Sequence, residues 1–459
     1  MSVLFENATI VTVNSGGDIL HDSAMYVKED RIVEIGDTAR LKAKYGDTAE
    51  RVIDAKDGVL FPGFVNTHSH SVALACRGRA EDVSNWDAIW GVMGSIRDSM
   101  TGDDCYVASR LAYVEMLRSG ITTVADSGAH MLRVGEAAIE TGIRAYLHQN
   151  FRDADATLLR DEGRYEYSME RGMKGLGDAV DLVETMHGKE GGRIRCLLGP
   201  QTIDTVSPKL LAATRGEADR LGVGVTIHLS QNEREPRQCL EAWGDLPGPM
   251  MEKAGFLGPD FTGAHAIFLH DEDIQALARN DCSVSHNPQI NAKRAHIAPV
   301  SDMIEAGINV GLGSDNMFYD MLEVIKTAGI VWRLRVKDPT VPHPSTIVQM
   351  ATMNGARALG IDDAVGSLEE GKVADVVMMD YARARYTPRV RENVLSNLVH
   401  FGAADDVALT MVGGRILVDD HRYVGGNEEA ILEEAQRSGE EVWERAKVDW
   451  ELRTSGGKG

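Results

Sequence analysis

The sequence predicts an α/β protein: a (β/α)8 TIM barrel with a small composite β-sandwich domain formed by the N- and C-terminal segments. Short apolar strands alternate with helical stretches through the middle of the 459-residue chain, as in parallel strands joined by helices. Strand-rich segments flank that middle on both sides. We therefore assign residues 1–61 and 372–425 to the β domain, 62–371 to the barrel, and 426–459 to a C-terminal amphipathic helix and tail.

The two ends of the chain have the character of short β-strands. Residues 1–61 contain LFENATIVTV, SAMYVKEDRIVEIG and RVIDAKDGVLFPG, in which β-branched residues alternate with polar ones between Gly and Asp turns. Residues 372–425 contain KVADVVMMD and VALTMVGGRILVDD, which follow the same rule. One small β domain assembled from both ends accounts for the two segments together.

The middle of the chain contains about eight strand and helix units. The predicted strands are GFVNTH, ITTVADS, IRAYLH, IRCLLGP, VGVTIHL, FTGAHA, CSVSHN and INVGLGSD. Helical stretches lie between them, and one begins at Ser207 and Pro208, a favourable N-cap and first-turn pair. No G-x-G-x-x-G follows an early strand, so a dinucleotide-binding fold is disfavoured.

Composition limits the partners and the compartment. The formal net charge of -22 excludes a nucleic-acid partner and disfavours a strongly anionic substrate, although a local site can override the global field. The five cysteines form no C-x-x-C pair, which indicates free thiols. There is neither a secretory signal nor an apolar run long enough to span a bilayer, so we expect a cytoplasmic enzyme without membrane contact.

Histidine and aspartate residues stand at the ends of the predicted strands, where a barrel carries its chemistry. His68 and His70 close the first strand, and residues two apart in a strand point the same way. His228, His265 and Asp315 close three later strands. Three imidazoles and one carboxylate suit one divalent ion, Zn²⁺ first and Fe²⁺ or Co²⁺ as alternatives, with a position left for an activated water.

A family resemblance extends over nearly the whole chain. The segments that carry it, in order, are PGFVNTHSH, RGRAED, GITTVADS, IHL, GAHAIFLHDEDI, SHNPQINAKRAHIAPV, EAGINVGLGSDN and GSLEEGKVADVVMMD. They resemble the amidohydrolase superfamily, in particular its triazine hydrolase and cytosine deaminase-like branch. The resemblance implies a barrel with a composite β domain, and by analogy a homo-oligomer.

The resemblance also implies the roles of the site residues. One divalent ion would be held by His68, His70, His228 and Asp315. Asp315 would double as general base, and His265 would contact the water or the substrate and stabilise the developing oxyanion. Members with two metals usually carry a carboxylated lysine at the fourth strand. IRCLLGPQ has no lysine, so we expect a mononuclear site.

Two departures from the deaminase pattern bear on the reaction. Deaminases of this branch carry His-x-x-Glu after the fifth strand, whereas Gln231 follows His228 here and cannot exchange a proton near neutral pH. The neighbouring Glu233 and Glu235 do not hold the expected place. After the fourth strand, Gln201 replaces a histidine that contacts substrate in deaminases. Gln231, Gln201 and His265 are therefore the predicted substrate-binding residues.

These departures lead us to expect a hydrolase that cleaves a C–N bond of a small neutral substrate at the acyl carbon of a urea, carbamate or amide. The resemblance for that choice is to the phenylurea and carbamate hydrolases of the superfamily. The alternative is an aminohydrolase or dechlorinase acting on a nitrogen heterocycle such as a triazine, pyrimidine or purine. A non-catalytic barrel scaffold is less favoured, because it would not need the four predicted ligands.

The remaining candidates are aromatic and histidine side chains near the barrel mouth. Trp86 and Trp90 follow the first strand and are predicted to bind substrate, with helix packing as the alternative. Phe318 and Tyr319 follow the eighth strand and are weighed in the same way. His286 and His296 flank the loop after the seventh strand, and His286 is expected to have a structural or supporting role. No functional role is expected for His130 and His148.

The C-terminal residues 427–459 place apolar side chains at helical spacing among many acids. This pattern predicts an amphipathic helix. Packing against the barrel of the same chain is the favoured interpretation, and a contact between subunits is the alternative.

Overall fold

The computed structural model describes residues 1–81 and 87–447. The chain begins with five strands and one helix: β1 (Ser2–Val11), β2 (Ile19–Lys28), β3 (Arg31–Asp37), α1 (Thr38–Tyr45), β4 (Arg51–Asp54) and β5 (Gly58–Pro62). β1, β2 and β3 pair antiparallel, with β1 almost wholly buried and β3 largely at the surface, while β4 and β5 add to β1 in parallel.

The long middle of the chain alternates strands and helices. Its strands are β6 (Phe64–His70), β7 (Ile121–Gly128), β8 (Arg144–Phe151), β9 (Ile194–Cys196), β10 (Gly199–Pro200), β11 (Val225–Leu229), β12 (Phe261–His265), β13 (Ser283–His286), β14 (Asn309–Leu312) and β15 (Asp315–Asn316). The strand interiors are almost wholly buried, because helices cover their outer side.

Helices connect and surround these strands. They are α2 (Met93–Asp98), α3 (Gly102–Arg118), α4 (Met131–Thr141), α5 (Ala156–Glu162), α6 (Met169–Met186), the irregular turn α7 (Lys189–Gly192), α8 (Pro208–Leu221), α9 (Arg234–Trp243), α10 (Pro247–Lys253), α11 (Asp271–Arg279), α12 (Pro288–Lys293), α13 (Val300–Glu305), α14 (Met321–Val336), α15 (Pro344–Ala351) and α16 (Met353–Ala358). The N-cap and proline predicted for α8 are present, since Ser207 accepts from the Leu210 amide.

The parallel strands form a closed ring. β6, β7, β8 and β9 pair side by side, and β11 to β14 form a second parallel group. Single parallel bridges join the two groups between β10 and β11, at Leu198 with Val225 and at Thr202 with His228. The ring closes where β15 pairs with β6. The eight strand positions and their helices agree with the (β/α)8 prediction.

The C-terminal part returns to the first sheet. Its elements are β16 (Val376–Asp380), α17 (Val394–Phe401), β17 (Val407–Val412), β18 (Arg415–Asp419), β19 (Arg422–Tyr423) and α18 (Glu428–Ala446). β16 pairs antiparallel with β5, so both ends of the chain form one nine-stranded sheet in the order β19-β18-β17-β16-β5-β1-β2-β3, with β4 against β1. The sandwich architecture stays a prediction, since the described strands of this unit form a single sheet.

The terminal helix α18 packs on the barrel of its own chain, against α3. Ile431, Ala435 and Val442 are buried, and Trp443 donates its indole N–H to the Ala75 carbonyl at 2.6 Å. Arg118 forms an ion pair with Glu428 at 2.7 Å. The same chain therefore covers the apolar face of the helix. Within the described ranges no helix combines the length and apolarity needed to cross a bilayer.

A buried ion pair joins the barrel to the sheet. Arg144, at the start of β8, contacts both carboxylate oxygens of Asp375 at 3.1 and 3.0 Å. The Gly413 amide donates to the same carboxylate at 2.7 Å. The Asp375 side chain is 2% exposed, so its charge depends on Arg144 for compensation.

Arg144→Met tests this connection. The change leaves the Asp375 carboxylate buried without its cation, and we expect the free energy of unfolding to fall by about 3–5 kcal/mol. The shift is measured from urea unfolding followed by circular dichroism. Lys174→Met removes an exposed lysine whose Nζ lies 3.5 Å from Asp178, and it should cost no more than about 0.5 kcal/mol. Equal shifts for both variants would contradict the role of Arg144.

Candidate metal centre and active-site cavity

A cavity of about 1440 Å³ opens at the carboxyl ends of the barrel strands. Its lining includes four of the predicted site residues at its floor: His70, His228, His265 and Asp315. Gln201 and Gln231 line its walls. The strand ends thus bring together side chains that lie up to 245 residues apart in the chain, from His70 to Asp315.

The metal-ligand candidates converge on one point. Asp315 Oδ1 lies 3.6 Å from His68 Nε2 and 3.3 Å from His70 Nε2. His70 Nε2 lies 3.1 Å from His228 Nε2. Their potential ligand atoms fall in two groups, each within 4.8 Å: His68 with His228 and His265, and His68 with His70 and Asp315. An ion with bonds of about 2.1 Å separates tetrahedral ligand atoms by roughly 3.4 Å, so these spacings suit a divalent ion.

Hydrogen bonds fix the orientation of three imidazoles. His70 Nδ1 lies 3.0 Å from the Ser127 carbonyl, and His228 Nδ1 lies 2.5 Å from the Gln201 carbonyl. His265 Nδ1 lies 3.1 Å from the side-chain oxygen of Asn291. A carbonyl can only accept, so each Nδ1 carries the proton, and Nε2 presents its lone pair to the centre.

The charge states also favour metal binding. Burial lowers the pKa of His70 to about 4 and that of His265 to about 3, with His68 as a further cause in both. Burial alone would raise the pKa of Asp315, but His68, His265 and His70 outweigh it and hold that pKa well below its usual range. His70 and His265 are therefore neutral and Asp315 is ionised near neutral pH, the forms that ligate metals.

Two buried polar atoms give the most direct indication of a ligand. His68 Nε2 and Asp315 Oδ2 are both buried and accept no hydrogen bond within the part of the chain that the structure describes. Unsatisfied buried polar atoms are costly and need an explanation. A divalent ion bound by these residues would satisfy both, and the donor set of imidazoles and carboxylate fits one.

Backbone strain accompanies two of these residues. His265 has φ of 76° and Asp315 has φ of 60°, in the left-handed region that side chains with a Cβ rarely adopt. Such conformations persist where the surroundings impose them, commonly at functional sites. Here the strain turns each side chain at the end of its strand toward the cavity.

Buried polar contacts hold the end of β6 in place. The Asp126 carboxylate accepts from the Ser71 amide at 2.8 Å and from the Tyr113 hydroxyl at 2.6 Å. The Tyr319 hydroxyl donates to the His70 carbonyl at 2.9 Å. The loop that follows His68 and His70 is therefore fixed on both sides.

Gln231 and Glu235 form one unit on the cavity wall. The Gln231 amide donates to Glu235 Oε2 at 3.1 Å, and Asn232 Nδ2 donates to Oε1 at 2.8 Å. Glu235 is fully buried, whereas Glu233 is exposed, although both line the cavity. Burial, with the nearby Asp204 carboxyl as a second cause, raises the pKa of Glu235 well above its usual range. A carboxyl group able to keep a proton near neutral pH thus stands beside Gln231.

Gln201 faces a different set of partners. Its side-chain oxygen accepts from Arg152, which also lines the cavity. The Gln201 carbonyl accepts from His228, as described above. Gln201 thus supports a predicted metal ligand through its backbone and contacts a cavity arginine through its side chain.

The aromatic predictions have mixed outcomes. Trp86 lies outside the described residues, and so does the side chain of Trp90. Phe318 and Tyr319 line a separate cavity of about 490 Å³ rather than the active-site cavity. The substrate-binding interpretation is therefore wrong for both residues, because they line this other cavity and the Tyr319 hydroxyl donates to the backbone carbonyl of His70.

Several residues that were not predicted to belong to the site are buried near it or line its cavity. His148 is fully buried, and burial together with His68 and His70 holds its pKa well below the usual value, which places it near the predicted ligands. His286 is also buried, and neither ring nitrogen has a partner among the described residues. His130, His296 and Arg294 line the cavity. Each of the three follows a predicted strand, which is the only signal that could have singled them out.

The metal centre can be tested by metal analysis. We expect His68→Ala and His228→Ala to lower the bound divalent metal from about one ion per chain to a small fraction, because each removes a central ligand. Inductively coupled plasma mass spectrometry measures the metal, and added Zn²⁺ should raise the melting temperature of the wild type only. His400→Ala, on α17, is the control and should keep its metal. Full occupancy in both ligand variants would rule out this site.

Known proteins resemble this chain along its whole length. The 5'-deoxyadenosine deaminase of Methanosarcina barkeri (strain Fusaro / DSM 804) is 34% identical over 451 residues, covering 97% of this chain and 99% of the relative. The 5-methylthioadenosine/S-adenosylhomocysteine deaminase of Desulforudis audaxviator (strain MP104C) is 35% identical over 443 residues, covering 95% and 98%.

Solved structures share the fold. An adenosine deaminase from Xanthomonas campestris with bound zinc has a TM-score of 0.86 at 24% identity, covering 96% of this chain and 98% of its own. The atrazine chlorohydrolase of Arthrobacter aurescens TC1, complexed with zinc, has a TM-score of 0.86 at 23% identity, covering 95% and 100%. The profile described as the Amidohydrolase family matches residues 59–417. The chain belongs to the amidohydrolase family and is a hydrolase acting on carbon–nitrogen bonds.

Proposed function

We propose that the protein is a metal-dependent aminohydrolase that releases ammonia from an amino-substituted nitrogen heterocycle. The observation that carries this proposal is the buried carboxyl of Glu235 on the cavity wall beside Gln231. From the sequence alone, urea, carbamate or amide hydrolysis is the expected reaction, because Gln231 cannot deliver a proton. Glu235 provides the missing acid, and the deaminase names of the relatives favour the heterocycle as well.

The proposed cofactor is one Zn²⁺ ion, with Fe²⁺ or Co²⁺ as alternatives, held by His68, His70, His228 and Asp315. When bound, such an ion lowers the pKa of a water molecule toward neutrality and so supplies the nucleophile. Zinc in two related folds supports the choice of metal.

The side chains of this chain divide the proton transfers. Asp315 accepts one proton from the attacking water, and His265, whose Nε2 lies 3.9 Å from Asp315 Oδ2, faces the oxygen that becomes bonded to carbon. Glu235 donates its proton to the ring nitrogen next to that carbon. Asp315 then passes its proton to the leaving amino group, the new hydroxyl returns one to Glu235, and the C–N bond breaks to give ammonia and the oxo product.

Gln231 has a binding role in this scheme. Its backbone N–H is engaged with Glu235, and its side-chain amide can donate to or accept from the heterocycle edge. Gln231 lies just before α9 and is tied through its backbone N–H to Glu235 in the first turn, so in this scheme the two side chains act on neighbouring atoms of one ring.

The substrate class is tested by a screen with product identification. We expect ammonia from amino-heterocycles, beginning with 5'-deoxyadenosine and 5-methylthioadenosine, and no amine from phenylurea, carbamate or anilide probes. Ammonia is measured with glutamate dehydrogenase, and organic products by mass spectrometry. The His68→Ala variant is the control for background hydrolysis. Turnover of ureas or carbamates without ammonia release from any amino-heterocycle would contradict the proposal and favour hydrolysis at an acyl carbon.

The acid is tested by paired substitutions. Glu235→Gln keeps the hydrogen-bond acceptor but removes the proton, so kcat for ammonia release should fall by about 10²–10⁴-fold at unchanged metal content. In wild type, activity should decline as pH rises through the raised pKa of Glu235, because the protonated form is required. The variant should lack that decline.

Gln231→Glu and Glu233→Gln complete the comparison. Gln231→Glu places a second carboxyl beside Glu235, and we expect less than a tenfold gain, since the acid is already present. Exposed Glu233 should be replaceable without loss. A large gain in Gln231→Glu together with an unaffected Glu235→Gln would show that Glu235 is not the acid.

A further inference from the structure

Arg294 places a positive charge beside the metal residues. It lies just after α12, in the loop that follows β13, and lines the same cavity as His70, His265 and Asp315. Desolvation lowers the pKa of its guanidinium, with Asp315 as an opposing cause, and Arg294 in turn contributes to the lowered pKa values of His70 and His265. Arg294 therefore lines the same cavity as the predicted metal ligands, with its side chain partly exposed to that cavity.

Arg294 has no counter-ion of its own among the residues that the structure describes. Two other arginines of the cavity do have partners: Arg171 contacts Asp155 at 2.9 Å, and Arg133 contacts Asp103 at 2.8 Å. Arg294 forms neither an ion pair nor a side-chain hydrogen bond within the described ranges. A partly buried guanidinium that faces the cavity without a protein partner is free to pair with an anion that enters the cavity.

The charge of the loaded site strengthens this argument. Asp315 is the nearby anion, and a divalent ion would more than neutralise it. The metal residues and Arg294 together would then carry two excess positive charges before any ligand enters. A nucleophilic hydroxide removes one of them, and an anionic group on the substrate would remove the other.

We propose that Arg294 binds a carboxylate carried by the substrate close to the reacting carbon. A guanidinium forms two parallel hydrogen bonds to a carboxylate, which gives orientation as well as affinity. Together with the proposed function, on which this step rests, it identifies the substrate class as an amino-substituted nitrogen heterocycle bearing a carboxylate next to the amino group.

The surroundings favour one negative charge rather than several. The outer wall of the cavity carries four acidic residues: Asp98, Glu136, Asp178 and Glu233. The protein as a whole has a formal net charge of -22. A phosphate ester would meet repulsion at this entrance, whereas a single carboxylate has one local partner to reach.

The position of Arg294 is fixed relative to the reaction centre. Its backbone amide donates to the carbonyls of Ile290 and Asn291 at 3.1 Å, and the Asn291 side chain holds His265. Two residues on, the ring of His296 packs edge-on against Phe268 at 5.0 Å. The segment from Asn291 to Arg294 therefore fixes both His265 and Arg294. A substrate carboxylate bound to Arg294 would in this way be held near the reacting carbon.

A matched pair of probes tests the proposal: 4-aminopyrimidine-5-carboxylate and its neutral analogue, 4-aminopyrimidine-5-carboxamide. Binding to zinc-loaded protein is measured by isothermal titration calorimetry, alongside ammonia release. We expect wild type to bind the carboxylate at least tenfold more tightly than the carboxamide. Arg294→Met should weaken carboxylate binding at least tenfold and change carboxamide binding less than twofold.

Two further variants serve as controls. Arg294→Lys keeps the positive charge but lacks the planar guanidinium, so it should retain part of the preference for the carboxylate over the carboxamide. If Arg294→Met loses its zinc, Arg294→Lys is used in its place. Arg237→Met removes the same charge from an exposed residue at the cavity rim and should change neither affinity by more than twofold. Equal binding of the two probes, or equal losses for both in Arg294→Met, would overturn the carboxylate site.

The outcomes separate the two proposals. Arg294-dependent binding of the carboxylate without ammonia release supports the anion site and contradicts the aminohydrolase. Ammonia release from neutral heterocycles with no dependence on Arg294 supports the aminohydrolase and contradicts the anion site.

Discussion

Closure of the barrel between its first and last strands is the constraint on which the site depends. Asp315 pairs with Ser69, and Asn316 pairs with His70, in parallel register. The Ser314 amide donates to the His68 carbonyl at 3.1 Å. Without this seam, the carboxylate would have no fixed place beside the imidazoles of the first strand. The strained backbone of Asp315 is maintained by the same contacts.

Charged and ionisable groups surround the pairing of β6 and β15. Imidazoles and one ionised carboxylate meet at the centre, and carbonyl oxygens behind His70, His228 and His265 orient those three rings. A protonatable carboxyl, Glu235, stands on one wall and a guanidinium, Arg294, on another. The tasks proposed for the two groups are opposite: Glu235 would exchange a proton with a neutral ring, and Arg294 would compensate a fixed negative charge. Their separation in the cavity allows both to act on a single small molecule.

The barrel and the metal residues could be predicted from sequence because their signals are local and repeated. Each predicted ligand ends an apolar strand, and parallel strand ends share one face of a barrel. Glu235 could not be separated from Glu233 in the same way, since only tertiary packing decides which of the two is buried. Arg294 gave no signal either, because an arginine in a loop is usually solvated. Phe318 and Tyr319 were misplaced because tertiary packing puts them at a separate cavity, which their position after a strand does not reveal.

The composite sheet has a consequence for the order in which the molecule can form. β5 takes its antiparallel partner from β16, more than 300 residues later, and Asp375 receives its cation from β8. During synthesis the first five strands therefore leave the ribosome well before the strand that covers their edge. A sheet with such distant pairings folds late and exposes an unpaired edge in the meantime. The metal centre, which needs both β6 and Asp315, is likewise completed only after about two thirds of the chain has emerged, so its assembly is set by the pace of translation.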